Sequence, residues 1–239
     1  MKNLFADVSL RKAAIISGYG LLIMTIFAIF ADFFVFQNLI IKGNATATAN
    51  NIMANEMQFR SGIFGFLIVI ICDVVVALTL YVFLKPVNKS LSLLAAWFRL
   101  VYATIFGIAL VNYSNVLQLL SGSAYLKVFE TTKLHAMAML SINSFSDVWA
   151  IGFVFFGLHL AILGYLVFRS NYIPRILGLL LIVAGLGYLI DNFGKFLFPN
   201  YDMVISMVTG WGELLFMFWL LFKGNKIASH DSDKEITVD

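Results

Sequence analysis

One cysteine and three prolines among 239 residues set the first limits. Cys72 lies inside an apolar run, so an intrachain disulfide and a cysteine-based metal cluster are both excluded. Scarce proline disfavours a many-turned all-β fold and suits long helices. Charge is thin as well: 12% of residues are Asp, Glu, Lys or Arg, about half the share of a soluble domain. A formal net charge of +3 leaves no electrostatic footprint for nucleic acid. What fills the chain is apolar: 61% hydrophobic residues, 24 Phe and a mean hydropathy of +0.92. That composition points to lipid as the solvent.

A helix needs roughly 20 apolar residues to cross the hydrocarbon core of a bilayer. Six segments qualify: 13–36, 59–84, 91–120, 145–168, 174–198 and 203–222. The first follows a basic start but is too long for a signal peptide and lacks a small-residue cleavage site, so it reads as a retained helix. Pro86 sits in the second interhelical turn, Pro174 fits the first helical position of the fifth span, and Pro199 ends that span. Strand-length alternation is absent, which argues against a β-barrel. The expected fold is an all-α membrane protein: one six-transmembrane-helix bundle over residues 1–224, then a polar tail over 225–239 expected to be disordered.

Lys and Arg in the short loops orient such a bundle. Lys2, Arg11, Lys12, Lys85, Lys89, Arg169, Arg175, Lys223, Lys226 and Lys234 fall on one side, against Lys42, Arg60, Lys127, Lys133 and Lys195 on the other. This bias predicts both termini in the cytoplasm and a multi-pass protein of the bacterial cytoplasmic (inner) membrane. Two outer segments are more than turns. Residues 43–60 carry an N-cap candidate, Asn44, and a Glu56/Arg60 pair at i,i+4; residues 123–142 are amphipathic. Either could be a short interfacial helix or a structured surface loop. Gly157 and Gly164, like Gly178 and Gly185, stand at heptad spacing, so the fourth and fifth spans are expected to pack as a tight antiparallel pair.

Charged groups inside a span cost about 2.5–3.5 kcal/mol each on insertion scales and need a partner or a cavity. Asp73 lies about 12 residues from Lys85, Arg99 about 9 from Ser90, His159 about 10 from Arg169 and Glu213 about 9 from Phe222; at about 1.5 Å per residue, all four come to similar depth. They form the predicted inner polar cluster. Arg99 stays charged and needs a carboxylate, which either Asp73 or Glu213 could supply. The other carboxylate would then find His159 as a hydrogen-bond partner. That composition suits a proton-handling site and equally a structural lock between helices. A weaker outer layer contains Asp32, Asp147, Asp191 and Asn192, with Asn112 and Tyr188 nearby. Asp191 and Lys195 are i,i+4 and could satisfy each other.

Known catalytic patterns are missing. There is no HExxH, no second histidine within the spans, no GxSxG elbow, and no Walker or GxGxxG motif. No cofactor or metal is therefore expected, and an enzymatic role is disfavoured. The blocks "CDVVVALTLYVFLKPVNKSLSLLAAWFRL", "FFGLHLAILGYLVFRSNYIPRILGLLLIVAGLGYLIDNF" and "GELLFMFWLL" resemble the bacterial membrane family called domain of unknown function 4386. The resemblance runs from Arg11 to Gly224 and implies a polytopic membrane protein. It supplies no activity and no residue roles.

Three functional classes follow. The first is a small carrier, coupled to an ion or proton through the inner cluster. The second is a lipid-facing intramembrane enzyme, and the third a non-catalytic membrane factor such as an immunity, sensory or assembly partner. The partners expected are membrane lipids and a small molecule, ion or proton; oligomeric state is left open.

Overall fold

The structure, a computed structural model, describes residues 9–198, 201 and 204–224. Among the described residues there is no strand. Six helices are long and apolar enough to cross a membrane. They are α1 (Leu10–Leu39), α3 (Glu56–Leu84), α4 (Lys89–Leu119), α5 (Thr131–Arg169), α6 (Arg175–Leu197) and the last span (Ile205–Lys223). The last span is broken at Gly210 into α7 (Ile205–Thr209) and α8 (Trp211–Lys223). A short helix, α2 (Ala45–Ala54), precedes α3. In lipid every backbone group must be bonded internally, and uninterrupted helices do that. Pro86 and Pro174, which would remove a helical donor, fall outside the helices. Pro174 caps α6 from just before its first residue rather than occupying it. Pro199 and the tail 225–239 lie outside the described residues.

The fourth span departs most from expectation. It starts at Thr131, not near 145, and runs unbroken to Arg169. Residues 131–151 contain neither Gly nor Pro, so nothing local ends the helix between the amphipathic segment and the apolar one. A 3-10 turn, Ala124–Val128, is all that stands apart. Residues 43–60 do hold a separate helix. Asn44 Oδ1 accepts from Ala47 N at 2.9 Å as the N-cap of α2, and Arg60 pairs with Glu56 at 2.7 Å.

The chain divides into two compact units, with boundaries inside α1, α3, α4 and α5. The first takes Met1–Leu22, Val74–Leu100 and Val154–Asp239; the second takes Ile23–Asp73 and Val101–Phe153.

In the first unit, small residues bring helix backbones together. A Cβ on Gly164 would lie 2.6 Å from Gly178 O, and one on Gly157 would lie 2.9 Å from Gly185 O. These antiparallel contacts make α5 and α6 the tight pair that the glycine spacing predicts. Gly212 places α8 against the Leu180 carbonyl in the same way. Ser17 of α1 donates to Thr79 of α3 at 2.7 Å, a buried polar tie. The Tyr172 hydroxyl, in the link between α5 and α6, donates to Phe83 O at 2.8 Å.

The second unit is built on aromatic rings. Phe36, Phe59, Phe66 and Phe106 are buried, and their neighbours extend the cluster: Phe66 to Phe106 at 5.1 Å, Phe106 to Trp149 at 4.8 Å, Tyr113 to Phe145 at 4.1 Å. Each such pair adds roughly 0.5–1.5 kcal/mol beyond its buried area. Residues Phe30–Phe36 of α1 wind as a π-helix, in which Gln37 N donates to Asp32 O five residues back.

Candidate functional site

Arg99 is fully buried on α4. A guanidinium has donors only, so the 3.1 Å contact between its Nη1 and His159 Nε2 has one direction: arginine donates and Nε2 accepts with its lone pair. The proton of the neutral imidazole therefore sits on Nδ1, which donates to Ala95 O at 2.9 Å. Ala95 is one helical turn before Arg99, so His159 grips both the backbone and the head group of the same stretch of α4. Phe156, one turn before His159 on α5, lies under the guanidinium at 5.6 Å, and the edge of Tyr188 on α6 meets the Phe156 ring at 5.3 Å. A desolvated cation over a ring gains about 2 kcal/mol.

The carboxylate comes from the broken last span. Glu213 falls in the first turn of α8, where the helix dipole favours negative charge. Its Oε1 is 3.8 Å from Arg99 Nη1, and 24% of its side chain is exposed against 0% for Arg99. A tight charge-assisted bond would be about 2.7–2.9 Å, so this is an ion pair without a short hydrogen bond. Beside His159 runs a narrow crevice whose walls include Ala77, Leu80, Ala96, Leu163 and Ser92; it is too tight to hold a water molecule.

Three of the four predicted inner residues thus meet within the first unit: Arg99, His159 and Glu213. Asp73 is fully buried and belongs to the second unit. The expected histidine–carboxylate bond is replaced by a histidine–arginine bond, because both ring nitrogens are already used. A general-base role for His159 would have to surrender its bond to Arg99.

The outer polar residues are divided. In the first unit, Asp191 accepts from Ile205 N at 2.9 Å, Ser206 N at 2.7 Å and the Tyr201 hydroxyl at 3.2 Å. It anchors the start of α7 instead of serving Lys195 alone. Asn192 donates to Tyr188 O. In the second unit, Asp32 accepts from Gln37 at 3.0 Å and Asn112 donates to Ala109 O; Asp147 lies on α5 in the same unit. Among the described residues no three His, Cys, Asp or Glu side chains converge as a metal site requires. Sequence reading passed over Ala95, whose contribution is a carbonyl, and Phe156, whose i−3 relation to His159 was the available sign. The earlier start of α5 also corrects the expectation of a single histidine within the spans: His135 falls in the fourth span, buried in the second unit with no hydrogen-bond partner at Nδ1 among the described residues.

The family model described as "Domain of unknown function (DUF4386)" matches residues 16–224. A relative described as "Uncharacterized protein", from Archaeoglobus fulgidus, is 39% identical over 166 residues, which is 70% of this chain and 85% of the relative. That relative is archaeal, so similarity to this chain is not confined to bacteria. No solved structure matches.

Proposed function

The chain belongs to the domain of unknown function 4386 family, and within it we propose a small proton-coupled carrier in which Glu213 takes up and releases the proton. Arg99 is the fixed charge, since a guanidinium does not deprotonate in a protein. His159 is a neutral brace that holds Arg99 and is not itself the proton carrier. Protonating it would set an imidazolium N–H against a guanidinium N–H.

The observation that carries this reading is the asymmetry of the ion pair: the cation is fully buried and braced, while the acid is partly exposed and 3.8 Å away. A carboxylate held at that distance, without a short charge-assisted hydrogen bond, can leave its cation and take a proton more readily than one held at about 2.7–2.9 Å.

The Lys and Arg bias supports an orientation with both termini in the cytoplasm, and we place the protein in a cytoplasmic membrane on that ground. A reporter fused after Lys223 that is active only outside would refute the orientation.

Proton flux in proteoliposomes tests the function. Wild-type protein should dissipate an imposed pH gradient in the presence of its solute. Glu213→Gln should abolish that proton movement, and His159→Gln should retain its pH profile. Equal flux in wild type and Glu213→Gln would sink the proposal. A second reading, a non-catalytic membrane factor with a structural polar lock, is favoured by the tightness of the crevice beside His159, which is too narrow for a water molecule. Under that reading, wild-type vesicles are as tight as empty ones.

A further inference from the structure

We propose that one end of the first unit is a docking surface for the headgroups of anionic phospholipids. Seven cations crown that end, all exposed: Arg11 and Lys12 on α1, Lys85 and Lys89 about the α3–α4 turn, Arg169 and Arg175 about the α5–α6 link, and Lys223 at the close of α8. Contacts within the unit show that these helix ends share one side. A Cβ on Gly224 would meet Ala14 Cβ at 3.1 Å, Ser17 bonds Thr79, and Tyr172 bonds Phe83 O. Gly178 abuts the backbone of Phe168. The acids among the unit's described residues are Asp191 and Glu213, and Glu213 stands about three turns from Lys223.

Helix stability accounts for Arg169 and Lys223, which stand in the last turns of α5 and α8, but not for the cations at the helix starts. Arg11, Lys12, Lys89 and Arg175 occupy the first turns of α1, α4 and α6, where the positive end of the helix dipole disfavours a cation. None of those three first turns holds an acid. Like charges gathered in this way repel one another, and an external anion relieves that repulsion.

The surroundings identify that anion as a lipid headgroup rather than a free ion. Phe168, Ile176 and Phe222, the immediate neighbours of Arg169, Arg175 and Lys223, are large exposed apolar side chains. The Arg175 guanidinium lies 5.9 Å from the Phe168 ring centroid, which holds the charge at the edge of the apolar surface. Long basic side chains whose stems lie along lipid and whose heads reach the phosphate layer have this arrangement.

Native mass spectrometry of the full chain tests the proposal, with micelles supplied with equal phosphatidylglycerol and phosphatidylcholine. Phosphatidylglycerol adducts should dominate, and added salt should shrink the preference. An anionic surface favours each nearby basic residue by roughly fivefold. The combined variant Lys85→Gln, Lys89→Gln, Arg169→Gln, Arg175→Gln should therefore lose at least tenfold of the preference, while Lys85→Arg with Lys89→Arg keeps it. If circular dichroism shows the quadruple variant unfolded, the single Lys85→Gln and Lys89→Gln variants must each show a several-fold loss. Neutralising Lys42, Arg60, Lys127 and Lys133 of the second unit should leave the preference intact. Equal adducts of both lipids on the wild type overturn the proposal. So does a loss confined to the second-unit variant, or full displacement of the lipid by inorganic phosphate.

Discussion

His159 accepts a hydrogen bond from Arg99 at 3.1 Å and donates one to Ala95 O at 2.9 Å. The two bonds fix the imidazole as a neutral Nδ1–H tautomer, because the guanidinium can only donate. They also tie α5 to α4 at the buried charge, so the position of the guanidinium depends on a residue that carries no charge itself.

Replacing His159 with Leu should destabilise the protein by about 1.5–3 kcal/mol, the range for losing a hydrogen bond to a charged group. His159→Gln, whose amide oxygen can accept from Arg99, should lose less. Denaturant titration in detergent followed by circular dichroism reads both. Identical midpoints for His159→Leu and wild type would show that the brace contributes nothing.

Two glycines, one at the α5–α6 contact and one on an open face of α4, predict opposite outcomes. A Cβ on Gly178 would stand 2.5 Å from Phe168 N and 2.6 Å from Gly164 O, and backbone cannot move aside as a side chain can. Gly178→Ala should cost about 1–3 kcal/mol or more. Gly107, in α4, has open space where a Cβ would stand, with nothing within 4 Å, so Gly107→Ala should gain up to about 1 kcal/mol from helix propensity. Thermal melting of the two variants side by side decides it.

Asp191 holds the start of α7 through the amides of Ile205 and Ser206. Asp191→Ala should cost about 0.5–2 kcal/mol, as for loss of a helix cap. The effect should be local: amide exchange at Ile205 and Ser206 should accelerate while that of α3 and α4 stays unchanged. Uniform acceleration would mean a wider role for Asp191.

Tyr172, in the link outside the spans, has its hydroxyl pushed up to about 12 by burial, against an ordinary value of about 10. A raised value means the folded state holds the proton more tightly. The associated stability is fully present below about pH 10 and is lost as the pH rises from about 10 to 12. Tyr172→Phe should lower stability at neutral pH by about 0.5–1.5 kcal/mol through the missing bond to Phe83 O, and should flatten that alkaline decline. An unchanged slope above pH 10 would assign the decline to other groups.

Much of the fold was legible because the bilayer imposes simple rules. Length and hydropathy located six spans to within a few residues at most ends, since the helix bonds every backbone group within its own segment in lipid. The exception was the start of α5 at Thr131, where an amphipathic turn and an apolar helix join without a breaking residue. Gly164 and Gly178 announced their contact because a missing side chain leaves room for a backbone and little else. The depth count put Asp73, Arg99, His159 and Glu213 at one level, but it could not choose their partners, and Asp73 falls in the second unit. Sequence spacing gives a residue's height along its own helix; the rotation of each helix about its axis comes from packing.

By itself, then, the sequence determined a helical protein with six segments long and apolar enough to span a membrane, and a glycine-lined helix pair. These follow from residue type and spacing alone. Tertiary structure decided that His159 meets Arg99 instead of a carboxylate, that Asp191 caps α7, and that Glu213 stands 3.8 Å from its cation with part of its side chain exposed. Each of these depends on a few ångströms of approach and on the direction of a lone pair, which only the packed helices set.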